Sequence, residues 1–237
     1  MELSGNVALI TGASRGLGFE IAKAYAKRGA KLVIAARDGQ RLATAESELA
    51  KETDVVALAL DVSQDAERLV QAGFERFGRI DVLVNNASEL GPSPMPALEA
   101  YPWRELERVF RINVLAPLHL TQLVLPGMKE RGEGVVINVS SDAGVEAYPG
   151  WGGYGASKAA LEHISRTLAA ELDGTGVRVY AVDPGDMNTD MHRLAEPGVD
   201  LSDLPGPAAS APAFVTLVED EPASGRFQAR ELLAAVK

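Results

Sequence analysis

The chain begins with an alternation of short apolar runs and longer amphipathic ones. Val7-Ala8-Leu9-Ile10 is apolar without a break and closes at a glycine-rich turn, the pattern of a strand buried on both faces. Beyond the turn, Leu17, Ile21, Ala24 and Tyr25 recur at helical spacing up to Gly29, a residue type that stops helices. The same pair of signals then repeats. Apolar Lys31 to Ala36 precedes a polar helix from about Gln40 to Lys51, and Val55 to Leu60 precedes a helix over Ala66 to Phe77. Ile80 to Val84 precedes a Pro-rich loop, Gly91 to Pro96, and a long helical stretch around Trp103 to Leu125. Gly134 to Val139 and Val177 to Val182 predict two more strands, with a helix over Tyr154 to Leu172 between them. Short buried strands alternating with helices specify an α/β fold, a doubly wound parallel sheet covered by helices on both faces. From about Pro197 to Pro212 the pattern breaks, with Pro197, Gly198, Pro205, Gly206, Pro207 and Pro212 in close succession. Such a segment is either a plain surface loop or a lid over the carboxyl edge of the strands.

Composition narrows the classes. A chain of 237 residues suits one α/β domain with a full core and is short for two. Its 33 acidic and 23 basic residues give a net charge of −10, which argues against a nucleic-acid partner, since phosphate binding relies on clustered Lys and Arg. Without cysteine, disulfides, zinc-thiolate sites and cysteine nucleophiles are excluded. Met1 to Asn6 is turn-like and precedes a very short apolar run, unlike a secretory leader. No apolar stretch reaches the ~18 residues that span a bilayer. The expectation is a cytoplasmic protein with no membrane partner.

The chemistry starts at the first turn, Thr11-Gly12-Ala13-Ser14-Arg15-Gly16-Leu17-Gly18. Glycines there permit a tight turn and close approach of the backbone to a pyrophosphate, and free N–H groups at the helix N-terminus attract its charge. Farther on, Tyr154 and Lys158 are four residues apart, so on a helix they share a face. A tyrosine with a free pKa of ~10 is a poor base near neutrality, and an adjacent ammonium stabilises its phenolate. Ser141 lies just past the fifth strand, at the carboxyl edge, where its hydroxyl could orient a substrate oxygen.

These residues resemble the short-chain dehydrogenase/reductase family, which carries T-G-x-x-x-G-x-G at the first turn. The likeness continues through Asp61-Val62, Asn85-Asn86-Ala87, Asn113, Ser141, Tyr154-Gly155-Ala156-Ser157-Lys158 and Asp183-Pro184-Gly185, in the family's order, over roughly residues 5 to 190. The resemblance implies a single Rossmann-like domain and hydride transfer between a nicotinamide nucleotide and a carbonyl or alcohol. It implies Tyr154 as acid/base, Lys158 lowering its pKa and binding the ribose, Ser141 orienting the substrate, and Asn113 holding a water in a proton relay. Gly12, Ser14, Arg15, Gly16, Leu17, Gly18, Asp61, Val62, Asn85, Ala87, Pro184 and Gly185 would bind the cofactor. NAD enzymes place an acidic residue at the end of the second strand. Here that position is Ala36, followed by Arg37, and Arg15 lies in the turn nearby. Two guanidinium groups that match a 2′-phosphate favour NADP(H) over NAD(H), although Asp38 is close. The family's packing of the Tyr154 helix between subunits implies a homodimer or homotetramer.

Two departures stand out. Ser88 replaces the glycine that usually follows Asn-Asn-Ala, and the C-terminus, ending Ser224-Gly225-Arg226-Phe227 and then Arg230 to Lys237, lacks the family's Gly-Gly pair, leaving a seventh strand in question. Two other readings compete. Gly12-Ala13-Ser14-Arg15-Gly16 also fits the G-x-S-x-G nucleophile elbow of α/β-hydrolases, with His119, His163 or His192 as base. That elbow normally follows several strands rather than the first, and the reading leaves Tyr154, Lys158 and Asn113 idle. A nucleotide-binding regulator without chemistry normally shows a substituted tyrosine or lysine, and here both are intact. The substrate pocket is expected between the Glu89–Pro96 loop, the segment after Ser141 and the stretch from Asp186 to about Leu204, with Trp151, Met187 and Met191 as apolar lining.

Overall fold

The computed structural model describes residues 1–235. Among these, seven strands form one fully parallel sheet: β1 (Val7–Thr11), β2 (Lys31–Ala36), β3 (Val55–Ala59), β4 (Val82–Asn85), β5 (Gly134–Val139), β6 (Val177–Asp183) and β7 (Gly225–Gln228). Their spatial order is β3-β2-β1-β4-β5-β6-β7. The helices are α1 (Gly16–Lys27), α2 (Gly39–Leu49), α3 (Ala66–Phe77), α4 (Trp103–Phe110), α5 (Ala116–Arg131), α6 (Gly152–Glu171), α7 (Asp190–Ala195), α8 (Ala211–Glu219) and α9 (Ala229–Ala235).

Side chains alternate across each strand, and both sets are apolar because helices cover both faces. Ala8 and Ile10 of β1, with Leu32 and Ile34 of β2, pack against Ile21 and Tyr25 of α1 and Phe214 and Leu217 of α8. The intervening residues Val7, Leu9 and Val33 pack on the other side against Leu69 and Val70 of α3 and Leu120 and Val124 of α5. The chain leaves β1 for β2 and β3, then returns to the far side of β1 as β4. Where the order reverses, successive crossovers diverge to opposite faces and open a crevice at the carboxyl ends of the strands.

The long helix expected over Trp103 to Leu125 runs on to Arg131 and is interrupted by a π-helical turn, Arg111–Leu115. Asn113 lies in that turn, the kind of local widening that recurs at functional sites. By length and composition Trp103–Arg131 would also pass for a membrane span, which the count of apolar residues along the sequence did not indicate. Half of its apolar window is buried, with Leu120, Val124 and Met128 on the sheet, so here its apolar side is core.

The Pro-rich stretch is more ordered than its composition implied. Pro207 opens a short 3-10 turn, Pro207–Ala209, and Pro212 sits in the first turn of α8, where a proline forfeits no helical N–H bond. The C-terminus, atypical in sequence, still supplies a seventh strand. β7 pairs with β6 from Tyr180↔Gly225 to Asp183↔Gln228.

Candidate active site

The crevice holds a groove of about 480 Å³ that runs along the carboxyl edge from the end of β2 to α6. Its floor begins with the β1–α1 turn. Gly12 has φ +68°, open to glycine at little strain. A Cβ on Gly18 would lie 2.6 Å from the Gly12 carbonyl, so α1 can start this close to the turn only with glycine there. The turn is clamped to the loop after β4. Asn86 Nδ2 donates to the carbonyls of Thr11 (2.9 Å) and Gly12 (3.2 Å), and Thr11 Oγ1 accepts from the amides of Asn86 (3.0 Å) and Ala87 (2.9 Å). No side chain caps α1 and no acidic residue lies in its first turn, so its leading N–H groups and positive dipole end remain available to an anion.

At the β2 end, three arginines line the groove, each paired with a carboxylate. Arg15 pairs with Asp190, Arg37 with Glu89 (3.3 Å), and Arg41 with Asp38 (3.3 Å) and Asp190 (3.5 Å). Asp38 also accepts from the Arg41 amide at 3.0 Å, capping α2, so its carboxylate is committed locally.

At the other end, α6 sets Tyr154 and Lys158 one turn apart, both buried. Lys158 Nζ lies 5.4 Å from the Tyr154 ring centroid and donates to the Val139 carbonyl at 2.7 Å. Ser141 caps a 3-10 turn, Asp142–Gly144; its hydroxyl donates to Asp142 (2.9 Å) and accepts from the Ala143 amide (3.2 Å). A Cβ on Gly155 would lie 2.5 Å from the Ala143 carbonyl, so this glycine lets the Tyr154 turn sit against the Ser141 turn. Burial pushes the Tyr154 phenol up to about 12; the Ser88 hydroxyl opposes this, the Asp142 and Asp183 charges reinforce it, and the Ser141 hydroxyl opposes it. Burial pushes the Lys158 ammonium down to about 7, against the pull of the Glu162 carboxylate.

The sequence profile described as short chain dehydrogenase matches residues 6–199, a span that contains the glycine turn, Ser141, Tyr154 and Lys158. The chain belongs to this family. A short chain dehydrogenase is an oxidoreductase working with a nicotinamide nucleotide. A 3-oxoacyl-[acyl-carrier-protein] reductase of rhamnolipid biosynthesis from Pseudomonas aeruginosa is 39% identical over 199 residues, covering 81% of this chain and 77% of its own. Among solved structures, a short chain dehydrogenase of Shigella flexneri complexed with NADP is 30% identical, with a TM-score of 0.87 and coverage of 97% and 98%. A 3-ketoacyl-(acyl-carrier-protein) reductase of Brucella melitensis complexed with NADH is also 30% identical, with a TM-score of 0.86 and coverage of 96% and 98%.

Within the dehydrogenase groove lie Gly12, Ser14, Arg15, Gly16, Leu17, Arg37, Asp61, Val62, Ala87, Tyr154, Lys158 and Pro184. Other residues singled out in the sequence fall outside it. Gly18 packs behind the turn, and Ser141 and Gly185 line an adjoining pocket. Asn85 is buried within the sheet, its amide donating to Asn138 (2.8 Å) and the Pro117 carbonyl (3.4 Å). Strand alternation explains this: Asn85 turns inward and Asn86, its neighbour, lines the groove. Asn113 is buried behind the β4 loop. Its amide donates to the Glu89 carbonyl (2.8 Å) and Ser157 Oγ (2.9 Å) and accepts from the Glu89 amide (2.7 Å) and Ser88 Oγ (3.2 Å). All four of its side-chain hydrogen-bonding positions are therefore filled by protein.

Sequence reading missed Arg41, and it assigned the stretch holding Asn188, Thr189 and Asp190 to the substrate pocket alone, whereas these three also line the groove. Arg41 carried a signal, since it sits four residues after Arg37 in the first turn of α2; the others depend on how the segment after β6 folds back. The adjoining pocket, about 100 Å³, is lined by Leu90, Trp151, Met187, Met191, His192 and Ala195 beside Ser141 and Tyr154. The apolar residues expected there are present. The hydrolase alternative finds no support: His192 pairs with Glu196 (3.4 Å), His119 with Glu67 (3.3 Å) and His163 with Arg166 (3.5 Å), none with Ser14.

The buried lysine has a consequence for stability. Between about pH 7 and its unfolded value near 10.4, the unfolded chain binds a proton at Lys158 that the folded chain resists, so this site destabilises the fold increasingly as pH falls through that window. Lys158→Met is expected to gain thermal stability over the parent as pH is lowered from about 10 to 7, and to level off below. Melting curves of both proteins across that range test it; a constant or opposite difference overturns it.

Proposed function

We propose that this chain is an NADP(H)-dependent reductase or dehydrogenase of a carbonyl or alcohol, a single domain with Tyr154 as acid/base. The observation that carries the reading is the pairing of Tyr154 and Lys158, both buried, on the α6 face that closes the groove. When bound, the nicotinamide supplies or accepts the hydride. Tyr154 Oη donates a proton to the carbonyl oxygen in reduction and takes one from the alcohol in oxidation. Lys158 has two N–H donors left after its bond to Val139, which suits the ribose hydroxyls and the phenolate. Ser141 orients the substrate oxygen from the adjoining pocket. Because the Asn113 side chain is fully engaged, a relay water at this position falls to its main-chain carbonyl in the π turn.

Arg15, Arg37 and Arg41 support NADP(H): three guanidinium groups at one end of the groove match a 2′-phosphate. Gly12, Ser14, Gly16, Leu17 and Gly18 form the pyrophosphate turn. Asp61 and Val62 flank the adenine, Ala87 lies in the loop after β4, which Asn85 supports from within the sheet, and Pro184 and Gly185 lie toward the nicotinamide. The segment 186–212 acts as a lid, with Met187 and Asp190 already over the groove. The relatives' names favour a 3-oxoacyl thioester as the first substrate to try. Trp103 and Leu115, both large and exposed on the α4–α5 helix, fit a homodimer or homotetramer. A cytoplasmic location follows the family's usual setting.

Titration with NADPH and separately NADH, followed by reduced-nicotinamide fluorescence, tests the cofactor. NADPH is expected to bind more tightly, and Arg15→Ala with Arg37→Ala to erase most of that advantage by weakening NADPH alone. A preference for NADH sinks the arginine argument. Binding of neither removes the central reading.

A further inference from the structure

The carboxylate of Asp190 is shared by arginines from three helices. Its Oδ2 pairs with Arg15 Nη1 and lies 3.5 Å from Arg41 Nη1, and its Oδ1 accepts from Arg193 Nη1 at 2.8 Å. Arg15 precedes α1 and Arg41 is in the first turn of α2, so one carboxylate oxygen gathers two guanidinium groups from separate elements. Arg193 differs, because it is on α7 with Asp190. It also donates to Asn188 Oδ1 at 2.6 Å, so it travels with that segment.

An anion held between two guanidinium groups is the arrangement a 2′-phosphate needs. A carboxylate in that place has the phosphate's own sign, and at ion-pair distances the repulsion opposes holding both. A phosphate monoester brings roughly two charges and three acceptor oxygens, against one charge and two oxygens on the carboxylate, so it is the stronger partner. Asp190 is not stranded by the exchange, since Arg193 stays with it.

Asp190 also opens α7, whose Met191 and His192 line the substrate pocket beside Tyr154. That helix is short, and Ala195 is its buried residue. Among the described residues, its polar ties to distant parts of the chain are the pairs with Arg15 and Arg41 and a bond from Ser93 Oγ to the Leu194 carbonyl (2.6 Å).

We propose that Asp190 is a cofactor-specificity residue that couples the two ends of the site. Its carboxylate holds the position of the 2′-phosphate between Arg15 and Arg41. A cofactor carrying that phosphate displaces it and frees α7 from α1 and α2, loosening one wall of the substrate pocket. A cofactor without the phosphate leaves the pairs and the wall in place. The exchange is of ion pairs only, with no covalent step, and the proposal rests on the NADP(H) reading.

The test measures binding of adenosine 2′,5′-bisphosphate and of adenosine 5′-monophosphate to the full chain by titration calorimetry. The two probes differ only in the 2′-phosphate, and neither can turn over. The parent is expected to prefer the bisphosphate. Asp190→Asn is expected to bind it about fivefold more tightly, the size that two exposed ion pairs set, with the monophosphate shifted by no more than about twofold. Asp190→Glu keeps the charge and is expected to stay with the parent. Hydrogen exchange of the α7 amides gives a second readout: the bisphosphate should speed it in the parent and the monophosphate should not. Unchanged bisphosphate affinity in Asp190→Asn, or slower α7 exchange in the parent on binding it, overturns the proposal and leaves the NADP(H) reading standing. Equal binding of the two probes by the parent would remove that reading, and this proposal with it.

Discussion

Tyr154→Phe is expected to lower kcat for carbonyl reduction about a thousandfold, the middle of the range for losing a positioned general acid, while NADPH affinity stays close to that of the parent. The substitution deletes one oxygen and keeps the ring. The edge contact of that ring with Trp151, at 5.9 Å between centroids, and the Lys158 ammonium 5.4 Å from its own centroid both survive. What disappears, on the proposed acid/base role, is the proton that would meet the developing alkoxide. Burial, first among the influences on it, keeps the phenol protonated across neutral pH, which is the form reduction requires. Oxidation requires the phenolate, so in that direction the parent's activity should climb with pH while the variant's stays flat. Stopped-flow single turnovers with NADPH separate the chemical step from cofactor binding. A loss of less than tenfold would show that another group supplies the proton.

The strands and most helices were legible because both faces of the sheet are covered, which leaves each strand as an unbroken apolar run. β2 and β5 fall at the residues their patterns marked, and so does α3. The placement of the glycine turn, Tyr154 and Lys158 along the groove was legible for a different reason: it depends on spacing within one element. Legibility failed where geometry depends on alternation at a strand end or on distant packing. Asn85 and Asn86 are chemically alike, and only the direction of the last residue of β4 separates the buried one from the one in the groove. Asp190 and Thr189 reach the groove because the chain after β6 folds back over it. The π turn at Asn113 lies inside a helix whose periodicity carries no mark of it. β7 was obscured because Gly225-Arg226-Phe227-Gln228 is short and only partly buried, so it lacks the apolar run that announced the others.

Arg226 on that strand carries the second large effect. Its Nε donates to Glu162 Oε1 at 2.9 Å, and Nη2 lies 3.5 Å from Asp183 Oδ2. Glu162 is 3% exposed, with Ser140 Oγ donating to it at 2.6 Å and the exposed Arg166 guanidinium no nearer than 3.9 Å. One guanidinium thus ties β7 to α6 and to the end of β6, directly beneath the Ser140-Ser141 turn. Arg226→Met keeps the stem and removes the charge, leaving a buried carboxylate without its main partner. Breaking one side of such a pair destabilises by about 3–5 kcal/mol. For a domain of this size that corresponds to a fall in Tm on the order of 10 °C. Asp183 adds a pH signature. Burial already raises its carboxyl above the ordinary range, and Arg226 opposes that rise. Without Arg226 it protonates at still higher pH, and the protonated form no longer needs the partner, so the deficit should narrow as pH falls from 8 to 5. Glu162→Gln combined with Arg226→Met should recover much of the loss, because no buried charge remains at Glu162. Melting curves of the parent, the two single variants and the double variant at both pH values close the cycle. Equal stability of Arg226→Met and the parent would mean that water, rather than the guanidinium, satisfies Glu162, and that β7 is held by its ladder to β6 alone.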